Sequence, residues 1–233
     1  MDFKRMLDYC SALDQNNDRA WFHENHKWYE EARGDYLALL EMLRFTLADC
    51  APELSKDILY MQVKDWVYRV ARDMRYHKNR PPYDPAFRAY ISRDRKSWLP
   101  IGYFLRVSPG SSCFGTGIWC ENAAETNRVR DYMVEHFKEF ESIRKRNRLH
   151  ITGDALKKMP RGYPEDLEAA QWVRYKNWSV IVDIPDCDLT CFEDFGQTVC
   201  ALVRKIEPMR LFLLNAVRSG PAPKQILGDF YRF

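Results

Sequence analysis

Nowhere among its 233 residues does the chain hold eighteen consecutive uncharged apolar residues, and its first stretch, MDFKRMLDYCSALDQ, lacks a long apolar run behind the charges. The expectation is a soluble, cytoplasmic protein that neither spans a membrane nor carries a secretory leader. Its seven cysteines are odd in number and scattered, without C-x-x-C or paired metal-ligand spacing. Reduced thiols are therefore expected; Cys187 and Cys191, four apart ahead of a helix, are the one close pair. Repeats and low-complexity tracts are missing, and G-x-S-x-G, a Walker loop and H-E-x-x-H are missing too, which argues against a serine hydrolase, a P-loop ATPase and a zincin. No cofactor is expected. His23, His26 and Glu30 could share one helix side as a two-His, one-carboxylate set, but an exposed polar face is the preferred reading, and no metal is assigned.

What the chain does have is size and locally concentrated positive charge. A chain of this length buries about 70% of the surface it exposes when unfolded, enough for one domain with a substantial core. The net charge of +3 hides an asymmetry. Residues 69–96 hold nine Lys or Arg against three Asp, and residues 138–162 hold eight against three acids, so the remainder is acidic. If the two segments meet they form a positive cleft; if not, they are two solvated basic faces. Within the first segment, RVARDMRYHKNRPPY (69–83) places Arg69, Arg72 and Arg75 at every third position around Asp73, with Lys78, Arg80 and Tyr83 following. Guanidinium forks held by a carboxylate are aimed at planar oxyanions. An extended reading to about Ala71 puts Trp66, Tyr68, Val70 and Arg72 on one face, followed by a long loop; Pro81 and Pro82 end either an extended or a helical reading.

Asn17 and Asp18 suit a helix cap at about 18–31, and helix is expected again over about 35–48, up to Pro52. FRAYIS, IGYFLRVS and SCFGTGIW, with a turn at Pro109 and Gly110, read as an antiparallel meander. Asn122 and Glu125 start a helix that runs to Arg146, a short helix is expected near 153–158, YKNWSVIVDI reads as a strand, and a last helix covers about Cys191–Val217 with a kink or break at Pro208. The order predicts an α+β fold, a mostly antiparallel sheet with helices on one face. Residues 1–218 are expected to form a single domain, and the tail 219–233, SGPAPKQILGDFYRF, to dock on it or on a neighbour.

The run Arg69, Arg72, Asp73, Arg75, Tyr76, Asn79, Arg80, Tyr83 resembles the signature R-x-x-R-D-x-R-F-x-x-[DN]-K-x-x-Y of a bacterial family called domain of unknown function 2461. NNDRAWFHENHKWYE, GYFLRVSPG with GTGIW, LKKMPRGYP and WVRYKNW resemble the same family, in order along almost the whole chain. Tyr76 stands where the family has Phe, Arg80 where it has Lys, and Asp84 where Lys is usual. The resemblance implies a shared fold and a shared basic site, and no activity.

Three functional readings follow. The preferred one is binding of a phosphorylated or carboxylated small molecule by Arg69, Arg72, Asp73, Arg75, Lys78, Arg80 and Tyr83, with Asp73 or Tyr83 as acid or base if a reaction occurs. Lys157, Lys158 and Arg161 around Gly162, and the amides of Gly115 and Gly117, are secondary candidates. Two glycines in a hairpin more often mark a bulge or a crowded sheet surface. The second reading is nucleic-acid binding, with Trp66, Tyr76, Tyr83 and Tyr90 interleaved among cations. The third is a structural Arg–Asp network without a ligand, in which Arg72→Ala costs about 3–5 kcal/mol. No motif names a reaction.

Overall fold

The computed structural model describes residues 1–75, 79–92, 101–190 and 192–219, and the structural statements below concern those residues. The sheet is antiparallel throughout, in the order β1 (Phe87–Ile91), β2 (Tyr103–Val107), β3 (Ser112–Trp119), β5 (Asn177–Ile184), β4 (Ile151–Thr152). Strict alternation builds its two faces. Phe87, Ala89, Ile91, Tyr103, Leu105, Val107 and Phe114 turn to the core, and Arg88, Tyr90, Phe104 and Arg106 turn away from it. Pro109 and Gly110 form the expected turn, and Gly110 takes the left-handed backbone, φ 61°, that glycine adopts without a Cβ penalty.

Helices cover the core face. α1 (Phe3–Gln15) was not foreseen, although Phe3, Met6, Cys10 and Leu13 form a buried stripe at helical spacing. α2 (Arg19–Glu24) is capped by Asp18, whose carboxylate accepts from the Trp21 amide at 2.9 Å. α3 (His26–Cys50) runs unbroken through Gly34, where two helices were expected, because the apolar stripe Tyr36, Leu39, Leu40, Leu43 and Leu47 is fully buried and outweighs one exposed glycine. α4 (Pro52–Ile58) follows. Arg5 Nε donates to Asp35 Oδ2 at 2.7 Å and ties α1 to α3.

α5 (Ala123–Glu135) starts at Asn122 as foreseen, with Asn122 Oδ1 accepting from the Glu125 amide at 3.0 Å. The helix expected to continue to Arg146 is interrupted at His136 and resumes as α6 (Phe137–Arg146). The short helix expected near 153–158 does not form. That stretch is held extended by an Ala155–Tyr175 bridge and by Leu156 donating to the Arg174 carbonyl at 2.8 Å. α7 (Ala170–Val173) and α8 (Asp186–Thr190) are short. α9 (Phe192–Arg218) is continuous past Pro208 and packs against β3, β5, α3 and α5. It is anchored by a buried cluster: Arg210, fully buried, donates to both Glu207 carboxylate oxygens at 2.6 and 2.7 Å and to the Ile101 carbonyl at 2.9 Å, while the Tyr103 hydroxyl donates to Glu207.

The neighbouring helices α3 and α9 bring Cys50 and Cys200, with Cα atoms 6.1 Å apart, into a disulfide. The expectation of reduced thiols therefore fails for this pair, whose 150-residue separation no local spacing could reveal. Cys10, Cys113 and Cys120 are free, and Cys191 lies outside the described residues. The tail from residue 220 onward lies outside them as well. Among the described residues no helix is long and apolar enough to cross a membrane.

Candidate functional site

Ahead of β1 the chain makes a 3-10 turn, Val63–Trp66, and then runs extended along the free margin of the sheet. Val67 pairs with Ala89, the Tyr68 amide donates to the Arg88 carbonyl at 2.9 Å, and Ala71 pairs with Tyr83 in an irregular hairpin. The extended reading to Ala71 thus describes an arm joined by isolated bridges. Its facing is one residue off, because Val67, opposite core-facing Ala89, turns inward and Tyr68 outward, 44% exposed. Asn17 clamps the hairpin by donating to the Tyr83 carbonyl at 3.1 Å and accepting from its amide at 3.0 Å.

Arg72 is embedded in this hairpin. Its amide donates to the Pro82 carbonyl at 2.8 Å, its Nη1 to the carbonyls of Pro81, at 3.0 Å, and of Tyr83, and its Nη2 to Asp84 Oδ1 at 3.0 Å. Asp84 Oδ2 receives Arg88 Nε at 2.8 Å, so one buried carboxylate joins two guanidinium groups. Arg88 in turn lies over the Tyr68 ring, 5.4 Å from its centroid. The carboxylate that orients Arg72 is therefore Asp84, whereas Asp73 was expected. Asp73 instead takes Arg75 in a fork, at 3.0 Å from Nε and 2.7 Å from Nη2, and this hydrogen bonding raises the Arg75 pKa above its ordinary value.

Arg72, Asp73 and Arg80 border a cavity of about 420 Å³ together with Ala71, Asp84, Arg88 and Arg106. Arg88 and Arg106 occupy facing positions on β1 and β2. Arg106 Nε is buried without a hydrogen-bond partner, and no ion pair is made by Arg106 or by Arg80 among the described residues. Four guanidinium groups therefore surround the hollow against the single carboxylate of Asp84, Asp73 being matched by Arg75. Arg88 belongs to the basic segment 69–96, whereas Arg106 lies outside both basic segments, so local charge concentration does not mark it. The signal was present, since alternation in FRAYI and YFLRV sets both residues opposite the apolar positions.

The arginine triplet does not share this hollow. Arg69 lies on the helix side of the arm, where it borders a second cavity of about 410 Å³ with Phe22, His23, His26, Tyr29, Arg33, Val67, Tyr68, Val70, Ala71 and Tyr83. The Tyr83 ring stacks on Phe22 there, with centroids 4.2 Å apart and planes 11° apart, and so does not line the hollow that holds Arg72. Lys78 lies outside the described residues.

The secondary candidates sit elsewhere. Lys157, Lys158 and Arg161 follow β4, at the margin opposite the arm, about 19 Å from β1 at some 4.8 Å per strand. Among the described residues, Lys157, Lys158 and Arg161 therefore share no hollow with Arg72, Arg80, Arg88 and Arg106. Gly115 and Gly117 are inside the β3–β5 ladder, and a Cβ on Gly117 would come within 2.6 Å of the Trp178 carbonyl oxygen, the mark of a crowded sheet surface. His26 Nε2 stands 3.8 Å from Glu30 Oε1, and among the described residues no group of three His, Cys, Asp or Glu could hold a metal ion.

Residues 5–212 match the family model described as "Conserved hypothetical protein (DUF2461)", and the chain belongs to that family. No curated protein and no solved structure matches the chain.

Proposed function

We propose that the chain binds a phosphorylated or carboxylated small molecule in the hollow bordered by Arg72, Arg80, Arg88 and Arg106. The observation that carries the reading is Arg106: a half-buried guanidinium, directly across the sheet from another, with a buried Nε that donates to nothing. A buried donor left unmet costs on the order of 1–3 kcal/mol, which a bound oxyanion would recover. Arg174 also has an unmet Nε but borders neither cavity, and two further arginines with an unmet Nε do not make the same case. Arg44 and Arg130 anchor their terminal nitrogens on Glu41 with the Met61 carbonyl, and on Asn127 with the Tyr175 carbonyl. Arg72 and Arg88, fixed by Asp84, supply a rigid wall, and exposed Arg80 supplies a group that can close over a ligand.

The role for Asp73 as acid or base loses support from its pairing with Arg75, and the role for Tyr83 from its stacking on Phe22. The reading is therefore one of binding. Calorimetric titration at low salt with inorganic phosphate, pyrophosphate, a sugar phosphate and malonate tests it. At least one anion should bind saturably, and Arg106→Ala should weaken it about tenfold or more while leaving the melting temperature unchanged or higher. Absence of binding by all four, or binding indifferent to Arg106→Ala and Arg80→Ala, removes the proposal.

A further inference from the structure

The cavity on the helix side of the arm has a different chemistry. Its floor is aromatic: Phe22 stacks on Tyr83 at 4.2 Å, with Tyr29 5.2 Å and His26 5.9 Å from the Phe22 centroid. Two guanidinium groups border it. Arg69 is exposed and makes no ion pair among the described residues, and the carboxylate nearest Arg33 is that of Glu30, at 3.9 Å. We infer that this cavity is a second binding site, for a flat aromatic acid whose ring lies against Phe22, Tyr29 and Tyr83 and whose carboxylate meets Arg69 and Arg33.

The assignment follows from what each part of the lining rejects. A mostly aromatic wall stabilises a planar ring through apolar burial and offset or edge contact. A small inorganic anion would leave that wall wet and gain only the rim. A cation would gain the ring faces but would sit beside two guanidinium groups with only the loosely held Glu30 to offset them. A ring bearing a carboxylate satisfies both halves, and the carboxylate suits the fork of an arginine. The site uses none of Arg72, Arg80, Arg88 or Arg106, so it stands or falls apart from the oxyanion hollow.

The test uses 2-naphthoate, 2-naphthylmethylammonium and acetate, followed by calorimetry and ligand-observed NMR. Naphthoate should bind saturably and acetate should not. Arg69→Ala should weaken naphthoate about tenfold or more, whereas Arg106→Ala and excess phosphate should leave it unchanged. Arg69→Glu, on the same exposed position, should turn the preference toward the ammonium ligand. The inference fails if naphthoate does not bind, if the ammonium ligand binds wild type equally well, or if the loss follows Arg106 instead of Arg69.

Discussion

Arg88 and Arg106 face each other on adjacent antiparallel strands, and among the described residues only Arg88 of the two forms an ion pair, with Asp84. Like charges directly opposed across a pair of strands are destabilising, so Asp84 matters beyond its contact with Arg72. Asp84→Asn keeps the shape but removes the charge shared by Arg72 and Arg88. It should lower unfolding stability by about 2–4 kcal/mol in urea titration and at the same time tighten phosphate binding, because the hollow then lacks its opposing charge. Loss of stability together with loss of binding would show that Asp84 only shapes the hairpin.

The buried Arg210, Glu207 and Tyr103 cluster should behave as a structural unit. Arg210→Met orphans a buried carboxylate and should cost about 3–5 kcal/mol, whereas the double replacement Glu207→Leu with Arg210→Met should recover a large part of that loss. Chemical denaturation of the four proteins of the cycle measures both.

Reduction of the Cys50–Cys200 bond releases a loop closed over a separation of 150 residues. The chain-entropy treatment assigns such a loop about 5 kcal/mol at 25 °C. Cys200→Ser, or excess reductant, should therefore lower the melting temperature by about 10 °C or more. A change of under about 2 °C would mean that the bond adds little to what α3 and α9 already gain by packing.

Glu141 supplies a pH-dependent contribution. Hydrogen bonds from Arg144, at 2.7 and 2.9 Å, with Lys145 at 3.1 Å, hold its pKa down at about 2. A carboxyl with a depressed folded pKa stabilises fully above its unfolded value of about 4.3 and loses that contribution as pH falls toward 2. Glu141→Gln should therefore be less stable than wild type by up to about 1 kcal/mol at pH 7, and the gap should close between pH 4.5 and pH 2. A gap that stays constant over that range would assign the loss to packing.

Local rules made the meander, its Pro109–Gly110 turn and the caps at Asp18 and Asn122 readable, because each depends on residues a few positions apart. What stayed hidden depends on distant partners. Whether Arg72 answers to Asp73 or Asp84 is decided by the hairpin that folds 83 back onto 71, and the Cys50–Cys200 bond by the contact of two long helices. The arginine spacing of three suggested one converging set, but an extended arm sends neighbouring side chains to opposite sides, so Arg69 and Arg72 enter different hollows. α1 differs, because its stripe Phe3, Met6, Cys10, Leu13 is a local signal at helical spacing and is legible in the sequence.

The arm along β1 and the two-residue β4 along β5 have a further effect. Each occupies an outer rim where an unmatched row of amide and carbonyl groups would otherwise invite a foreign strand. The same irregular hairpin that aims Arg72 thus also acts as a guard against fibre-like growth, and loosening it, as by Asn17→Ala, should promote aggregation as well as disturb ligand capture.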